Sequence, residues 1–330
     1  MPKNNPTIYD VAKEAGVSIA TVSRVVNSPH QVHPKTRTTI LEVIDRLGYI
    51  SQGELNSRTF IRTKRIGVLI PFFTTPSFVQ RLRGIAGVLN QNNYELVIYP
   101  VDTRSREIST METLAIRHTL DGLIVVSQVF DDSIANRLIE NSLETVVIEF
   151  FDPRFTSLEI DDEQGGYLAT KYLLGKGYHR IVFIGGSQEP EFGVDPIIKR
   201  LAGYRKALKE EGITLPPEYE NEYVLNPGDL LDKIKPAKDL PIAFFAATDM
   251  QAISLISECR KRELRIPEDV ALIGFDDIDM AEYFGLTSVH QPLDESGRIA
   301  AELLISRLIN PTQTIQHITL PLKVVERVTA

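Results

Sequence analysis

The chain has 330 residues, 43% of them hydrophobic, which is enough for a sizeable core and, at this length, for two or three domains. Its 36 Lys and Arg against 44 Asp and Glu give a net charge of −8, yet residues 1–65 hold 10 basic against 5 acidic residues, so that segment carries +5 and the remainder −13. A single cysteine, Cys259, excludes an internal disulfide; no apolar run approaches the roughly 18 residues of a membrane span, and Met1 to Pro6 lacks an apolar signal core, so a cytoplasmic protein is expected.

In chain order, the first pattern is a pair of short helices. Ile8, Val11, Ala12 and Ala15 fall at helical spacing and give one apolar stripe. Gly16 follows where the chain must turn, and Ser18 can cap the next helix. Val22, Val25 and Val26 form the buried stripe of that second helix, leaving Ile19, Ala20, Thr21, Ser23 and Arg24 outward. A face that is small apart from one arginine suits a helix that enters a major groove. A third helix is predicted over Pro34–Leu47, with apolar residues at Ile40, Val43, Ile44 and Leu47. Three short helices with a basic excess point to nucleic acid rather than to an ordinary helical hairpin.

From Lys64 onward strands alternate with helices. Strands are predicted at Arg65–Pro71, Tyr94–Val101, Gly122–Ser127 and Thr145–Phe150, separated by helices at Ser77–Asn90, near Ser105–Thr119 and at Ser133–Asn141. A second series follows, with helices near Gly165–Lys176, at Pro196–Glu211, near Asp229–Lys235 and at Met250–Arg262. Its strands are Arg180–Gly186, a segment near Glu222–Leu225, Ile242–Ala247 and Val270–Phe275, and Leu320 to Ala330 reads as an extended tail. Continuous aliphatic runs are what strands covered on both faces require, so the fold class is α/β: a three-helix head and two doubly wound parallel lobes. Ligands of such sheets sit at the carboxyl ends of strands, which directs attention to Phe72 to Thr75, Ser127-Gln128, Glu149-Phe150, Gly185 to Asp195, Thr248-Asp249 and Asp276-Asp277.

An α/β enzyme acting on a carbohydrate or nucleotide is the rival function. No G-x-G-x-x-G follows a strand, no G-x-x-x-x-G-K-S/T is present, and no serine-centred nucleophile elbow appears. The six histidines, His30, His33, His118, His179, His290 and His317, are scattered. No catalytic group, cofactor or metal is therefore expected.

Thr7 to Ala12 and Thr21 to Asn27, followed in order by Leu47-Gly48-Tyr49, Lys64 to Val68, Asp121 to Ile124, Gly177 to Ile181, Thr248-Asp249, Ile266 to Val270 and Gly274 to Asp277, resemble the LacI/GalR family of bacterial transcription regulators nearly end to end. The resemblance implies a helix-turn-helix domain over 1–49, a hinge over 50–64 and a core over 65–330 that binds an effector and dimerises. Within that core, one lobe covers about 65–160 and 292–322 and the other about 161–291 and 323–330. It implies a homodimer on a near-palindromic DNA operator in the nucleoid, and a small-molecule effector, a sugar or sugar derivative, held in a cleft between the lobes. Some relatives bind purines or nucleosides instead, and whether the effector induces or corepresses stays open.

Carried over to this sequence, Ile19, Ala20 and Arg24 are expected to face base edges, Arg24 donating to guanine. Thr7, Ser18, Thr21, Ser23, Asn27, His33 and Thr36 are candidates for phosphate. Tyr9 either packs under the first helix or reaches the DNA backbone. The cleft candidates are Arg200, Asp249 and Asp276, supported by Phe72, Phe73, Glu149 and Gln291; carboxylates and arginine suit sugar hydroxyls, and an aromatic face suits the ring. Phe72 and Phe73 are equally readable as core, and one of Asp276 and Asp277 as a helix cap. The hinge departs from the family pattern. An Ala-Arg pair gives way to Leu55-Asn56, Arg58 stands where a leucine wedge is expected, and Gly53 weakens any helix there by about 1 kcal/mol relative to alanine. Less operator bending is expected, with Arg58 in a narrow minor groove or Leu55 acting out of register.

Overall fold

The computed structural model describes residues 6–47, 49, 63–101, 103–186, 193–234 and 242–330. The hinge candidates Leu55 and Arg58, with Gly53, lie outside the described residues, as do 187–192 of the turn expected after Gly185.

The head consists of α1 (Ile8–Glu14), α2 (Ile19–Asn27), a single 3₁₀ turn at Pro29–Gln31, and α3 (Pro34–Leu47). Thr7 starts α1 by donating its N–H and its hydroxyl to Asp10 Oδ2, each at 2.7 Å. Gly16 turns the chain at φ +66, a left-handed conformation costly to residues with a Cβ. Ser18 Oγ then accepts the Thr21 N–H at 3.2 Å and opens α2. Val11, Ala12, Val22, Val25, Ile40, Leu41, Val43 and Ile44 bury together, and Ile116 from a later helix completes this small core.

The remaining described chain builds two six-stranded sheets. The first contains β1 (Arg65–Pro71), β2 (Glu95–Val101), β3 (Gly122–Val126), β4 (Glu144–Ile148), β5 (Thr156–Ile160) and β11 (His317–Leu320), in the order β11-β5-β4-β3-β1-β2. Helices α4 (Pro76–Gln91), α5 (Arg104–Arg117) and α6 (Asp132–Glu140) connect its early strands. Strands β1, β3 and β4 pair in parallel and are buried on both faces, whereas the edge strand β2 is mostly part-exposed.

The second sheet contains β6 (Ile181–Gly186), β7 (Glu220–Tyr223), β8 (Ile242–Ala246), β9 (Val270–Asp276), β10 (Thr287–His290) and β12 (Lys323–Val325), in the order β12-β10-β9-β8-β6-β7. Its helices are α7 (Asp162–Gly175), α8 (Pro196–Glu210), α9 (Gly228–Lys233), α10 (Asp249–Lys261) and α11 (Asp279–Tyr283), followed in the chain by α12 (Leu293–Ile309). Pairing is parallel except for β12, which runs antiparallel to β10; the extended tail thus includes a strand. Phe183, Tyr204, Phe245, Ile273 and Phe275 pack on one face, and Phe244, Leu255, Leu272 and Cys259 on the other. Burial pushes the Cys259 thiol up to about 11, so it packs as an apolar group.

By contacts the chain forms two units. One comprises Met1–Phe73, Ile85–Ser157 and Arg298–Gln316; the other comprises Thr74–Gly84, Leu158–Gly297 and His317–Ala330. Helix α7 starts three residues before the expected Gly165 because Asp161 Oδ1 accepts the Gln164 N–H at 2.8 Å. Strand β7 lies two residues earlier than expected, since Tyr219 is held in the core and its hydroxyl accepts from Arg180.

Candidate functional site

On the head, Ser18, Ile19, Ala20 and Arg24 are exposed on α2, while Thr21 and Ser23 are half-buried. The outward face of α2 is therefore small side chains with one guanidinium, narrow enough for a groove about 12 Å wide. Ser18 Oγ and Thr21 Oγ1 lie 2.8 Å apart at the start of this helix. Thr7, Tyr9 and His33 are exposed and Thr36 is half-buried; Asn27 closes α2, and its side chain lies outside the described ones. Tyr9 is 68% exposed, so it does not pack under α1. The two Thr7 hydrogen bonds hold the Asp10 carboxyl below its ordinary 3.8, keeping an anionic cap at the first turn.

In the first unit the strand ends carry Phe72, Phe73, Ser127, Gln128 and Glu149. Phe72 adopts φ 42, Ser127 φ 54 and Glu149 φ 65, left-handed turns in which β1, β3 and β4 each stop and redirect their side chains. Phe72 and Phe73 are 49% and 39% exposed, which sets aside the reading of both as core. The Ser127 hydroxyl donates to Glu149 Oε2. Gln128 is fully buried, with its amide donating to the Ser127 carbonyl at 3.0 Å.

In the second unit Arg200, on α8, is 3% exposed. Its Nε donates to Asp162 Oδ1 at 2.8 Å and its Nη1 to the Ala247 carbonyl at 2.5 Å, and Asp276 Oδ1 lies 3.6 Å away. The guanidinium lies over the Phe275 ring, 3.6 Å from its centroid. Arg200 is thus fixed from four sides, with its position set by α7, α8 and the ends of β8 and β9. Gln291 donates to Asp276 Oδ1 at 2.5 Å and accepts from Arg81 at 3.3 Å. Arg200, Asp276 and Gln291 therefore form one connected polar group.

Asp249 is fully buried and both of its oxygens are occupied: Oδ1 accepts from the Ser288 hydroxyl at 2.6 Å and Oδ2 from the Ile278 N–H at 2.8 Å. Burial first, and then the negative charge of Asp276, push its carboxyl well above the ordinary 3.8 despite those two donors. A Cβ at Gly274 would overlap Asp249 Oδ1, so the glycine makes room for the carboxyl. Neither Asp276 nor Asp277 caps α11, whose N-cap is Ile278 without a side-chain bond. Both aspartates have positive φ, 111 and 56, which turns them away from the helix. Asp277 instead meets His290 Nδ1 at 3.0 Å and Arg327 at 2.7 Å. Burial alone would raise its carboxyl, and those two partners outweigh burial and lower it below 3.8.

Sequence reasoning missed Asp162, Phe275, Ser288 and Arg81, which position the polar group. Asp162 follows Asp161, and the pair reads as a helix start in which either could cap. Phe275 was legible only as the end of an aliphatic strand. Among the described residues there is no group of three or more His, Cys, Asp or Glu placed to hold a metal ion, and no helix is long and apolar enough to cross a membrane.

Residues 7–52 match the family described as bacterial regulatory proteins, lacI family, and residues 170–330 match the periplasmic binding protein-like domain. Over 327 residues the chain is 31% identical to the catabolite control protein A of Priestia megaterium, an alignment covering 96% of this chain and 97% of that protein. It is also 31% identical over 330 residues to the ribose operon repressor of Escherichia coli (strain K12), covering 97% and 98%. Among solved structures, the transcriptional regulator CelR in complex with cellobiose superposes with a TM-score of 0.68 at 28% identity, covering 98% of this chain and all of that one.

Proposed function

The chain belongs to the LacI family of bacterial transcription regulators, and from that membership we propose that it represses transcription as a homodimer whose grip on its operator is set by a small carbohydrate. The relatives are regulators of transcription, not enzymes, which sets the enzyme reading aside. The work belongs in the cytoplasm, on DNA of the nucleoid.

The observation that carries the effector half is the fixed group Arg200, Asp276 and Gln291. A guanidinium held by Asp162 and a backbone carbonyl, next to a carboxylate and an amide, offers both donors and acceptors to vicinal hydroxyls without reorganising. Asp249 acts one step back: it holds the β9–α11 turn through Ile278 and Ser288, and so positions Asp276. Phe72, Phe73 and Glu149 enter the proposal as further ligand contacts. A relative named for the ribose operon and relative structures holding cellobiose and ribose support a sugar; repressors named PurR match at the same 31% identity, which is why a purine stands in the titration below.

On the head, Arg24 reads base edges, Ile19 and Ala20 give apolar contact, and Thr7, Tyr9, Ser18, Thr21, Ser23, Asn27, His33 and Thr36 are proposed to fix the register on phosphates. Leu55 and Arg58 remain the proposed minor-groove contacts.

The test is operator binding measured by fluorescence anisotropy on a fragment from upstream of the protein's own gene, titrated with ribose, cellobiose and a purine. One sugar is expected to shift the Kd at least about fivefold, a shift lost in Asp276→Asn and weakened in Gln291→Ala. If no sugar moves the affinity and both variants behave as the unaltered protein does, the effector reading fails.

A further inference from the structure

Helix α5 in the first unit carries a face that the sheet does not use. Glu112, Thr113 and Ile116 lie along it at helical spacing, and Thr113 and Ile116 are 5% and 9% exposed. What covers them is the head. Ile116 packs into the head core with Val25, Ile40, Leu41 and Ile44. Arg37, on α3, is 4% exposed and donates from Nε to Glu112 Oε2 at 2.9 Å. The side chains of this pair are 5% and 13% exposed, so the ion pair is enclosed between two elements 75 residues apart in sequence. A small gap lined by Val25, Val26, Leu41, Ile44, Tyr49, Thr113, Ile116 and Arg117 marks the apolar part of the same contact.

A second anchor lies just beyond α5. Asp121 Oδ1 accepts the N–H and the hydroxyl of Thr63, each at 2.7 Å, and Oδ2 accepts the Lys64 N–H at 3.1 Å. The chain is therefore fastened to the α5–β3 region on both sides of residues 50–62.

We propose that α5 is a docking platform for the head of its own chain, with Ile116 as the knob and Arg37–Glu112 as the latch. An enclosed arginine–glutamate pair is costly to desolvate, so it adds directional selection rather than general adhesion: the head seats in one orientation or loses a partner for a buried charge. The contact uses the 3₁₀ turn Pro29–Gln31, the inner edge of α2 and, from α3, Arg37. Ser18, Ile19, Ala20 and Arg24 stay exposed in the docked state, so the platform presents the groove-facing side instead of hiding it. The head's orientation on the first unit is then set by this contact as well as by the hinge. This goes beyond the effector reading and does not depend on it.

The test is hydrogen exchange by mass spectrometry on the full chain, with neither DNA nor effector present. Relative to the unaltered protein, Glu112→Gln and Ile116→Asp are expected to speed exchange at least about fivefold in peptides covering residues 36–47 and 112–118. The single reversals Arg37→Glu and Glu112→Arg should do the same, and the combined reversal should restore the slow rate. Glu112→Gln is the mild variant, which keeps the test valid if Ile116→Asp disrupts α5. Single variants within twofold of the unaltered rates overturn the proposal. So does faster exchange that the combined reversal fails to restore, because it would mean a weakened helix instead of a lost pair.

Discussion

Asp249 is a carboxylate enclosed by the fold, and its titration is coupled to folding. Its raised folded-state pKa means that the native state prefers the proton: the associated stability is fully present below the ordinary 3.8 and is lost as pH rises through the raised value. Asn at this site can still accept from the Ile278 N–H while its amide donates to Ser288 Oγ, and it carries no charge. In thermal unfolding between pH 4 and 8, stability is expected to change less favourably with rising pH in the unaltered protein than in Asp249→Asn, where this group no longer titrates. Equal slopes would remove the argument. From sequence, Asp249 was legible as an acidic residue at a strand end and, through the family resemblance, as a cleft candidate; its enclosure depends on Gly274 and Ser288, which lie in other parts of the chain. Ser18 is the opposite case. Its cap was readable from neighbours three residues away, and Ser18→Ala should lower head stability by about 1 kcal/mol, seen as an earlier first transition in calorimetry without DNA.

At the scale of elements, the position of Arg200 depends on how closely α7 and α8 approach. A Cβ at Gly166 would overlap the Arg200 carbonyl, and one at Gly203 would overlap the Glu163 carbonyl. The two helices thus touch backbone to backbone through glycines on both sides. Gly203→Ala is expected to force them apart, to cost about 3 kcal/mol, and to weaken the effector response beyond what the stability loss explains. Urea unfolding and the sugar titration check the two parts. Neither glycine announced this in the sequence, where each reads as a mildly unfavourable helix residue. The strands show a similar division. Buried parallel strands such as β1, β3 and β9 declared themselves as aliphatic runs. Strands β5, β10 and β11 passed unnoticed because they are four or five residues long with at least half of their side chains polar or charged, and β12, three residues long, was read only as part of an extended tail; all four are strands by virtue of their neighbours.

Over the whole molecule, charge is divided: +5 in residues 1–65 and −13 in the remainder. The basic segment favours phosphates and the acidic body repels them, so the head supplies the attraction to DNA and the body opposes non-specific spreading. The logarithm of the operator affinity is therefore expected to fall linearly with log salt, the affinity losing roughly two orders of magnitude between about 50 and 200 mM, and Arg24→Ala should also relax sequence preference. A competition assay over operator variants at two salt concentrations separates these effects. If effector and operator are linked, each alters the affinity for the other by the same factor, so DNA must change sugar affinity as much as sugar changes DNA affinity.

The second unit is assembled from Thr74–Gly84, Leu158–Gly297 and His317–Ala330, whereas the three helices of the head come from one short stretch at the start. Thr329 ties the final segment into the second sheet, since its carbonyl accepts from Leu272 N, its hydroxyl donates to the Leu272 carbonyl, and that hydroxyl accepts from Thr287 N. That sheet therefore cannot close on a ribosome until the chain has passed through α12 and returned. The helices of the head can meet long before then, because their contacts are local and form quickly. Every growing copy thus passes through an interval in which the head can be complete while the unit that carries Arg200, Asp276 and Gln291 is still missing a strand of its sheet.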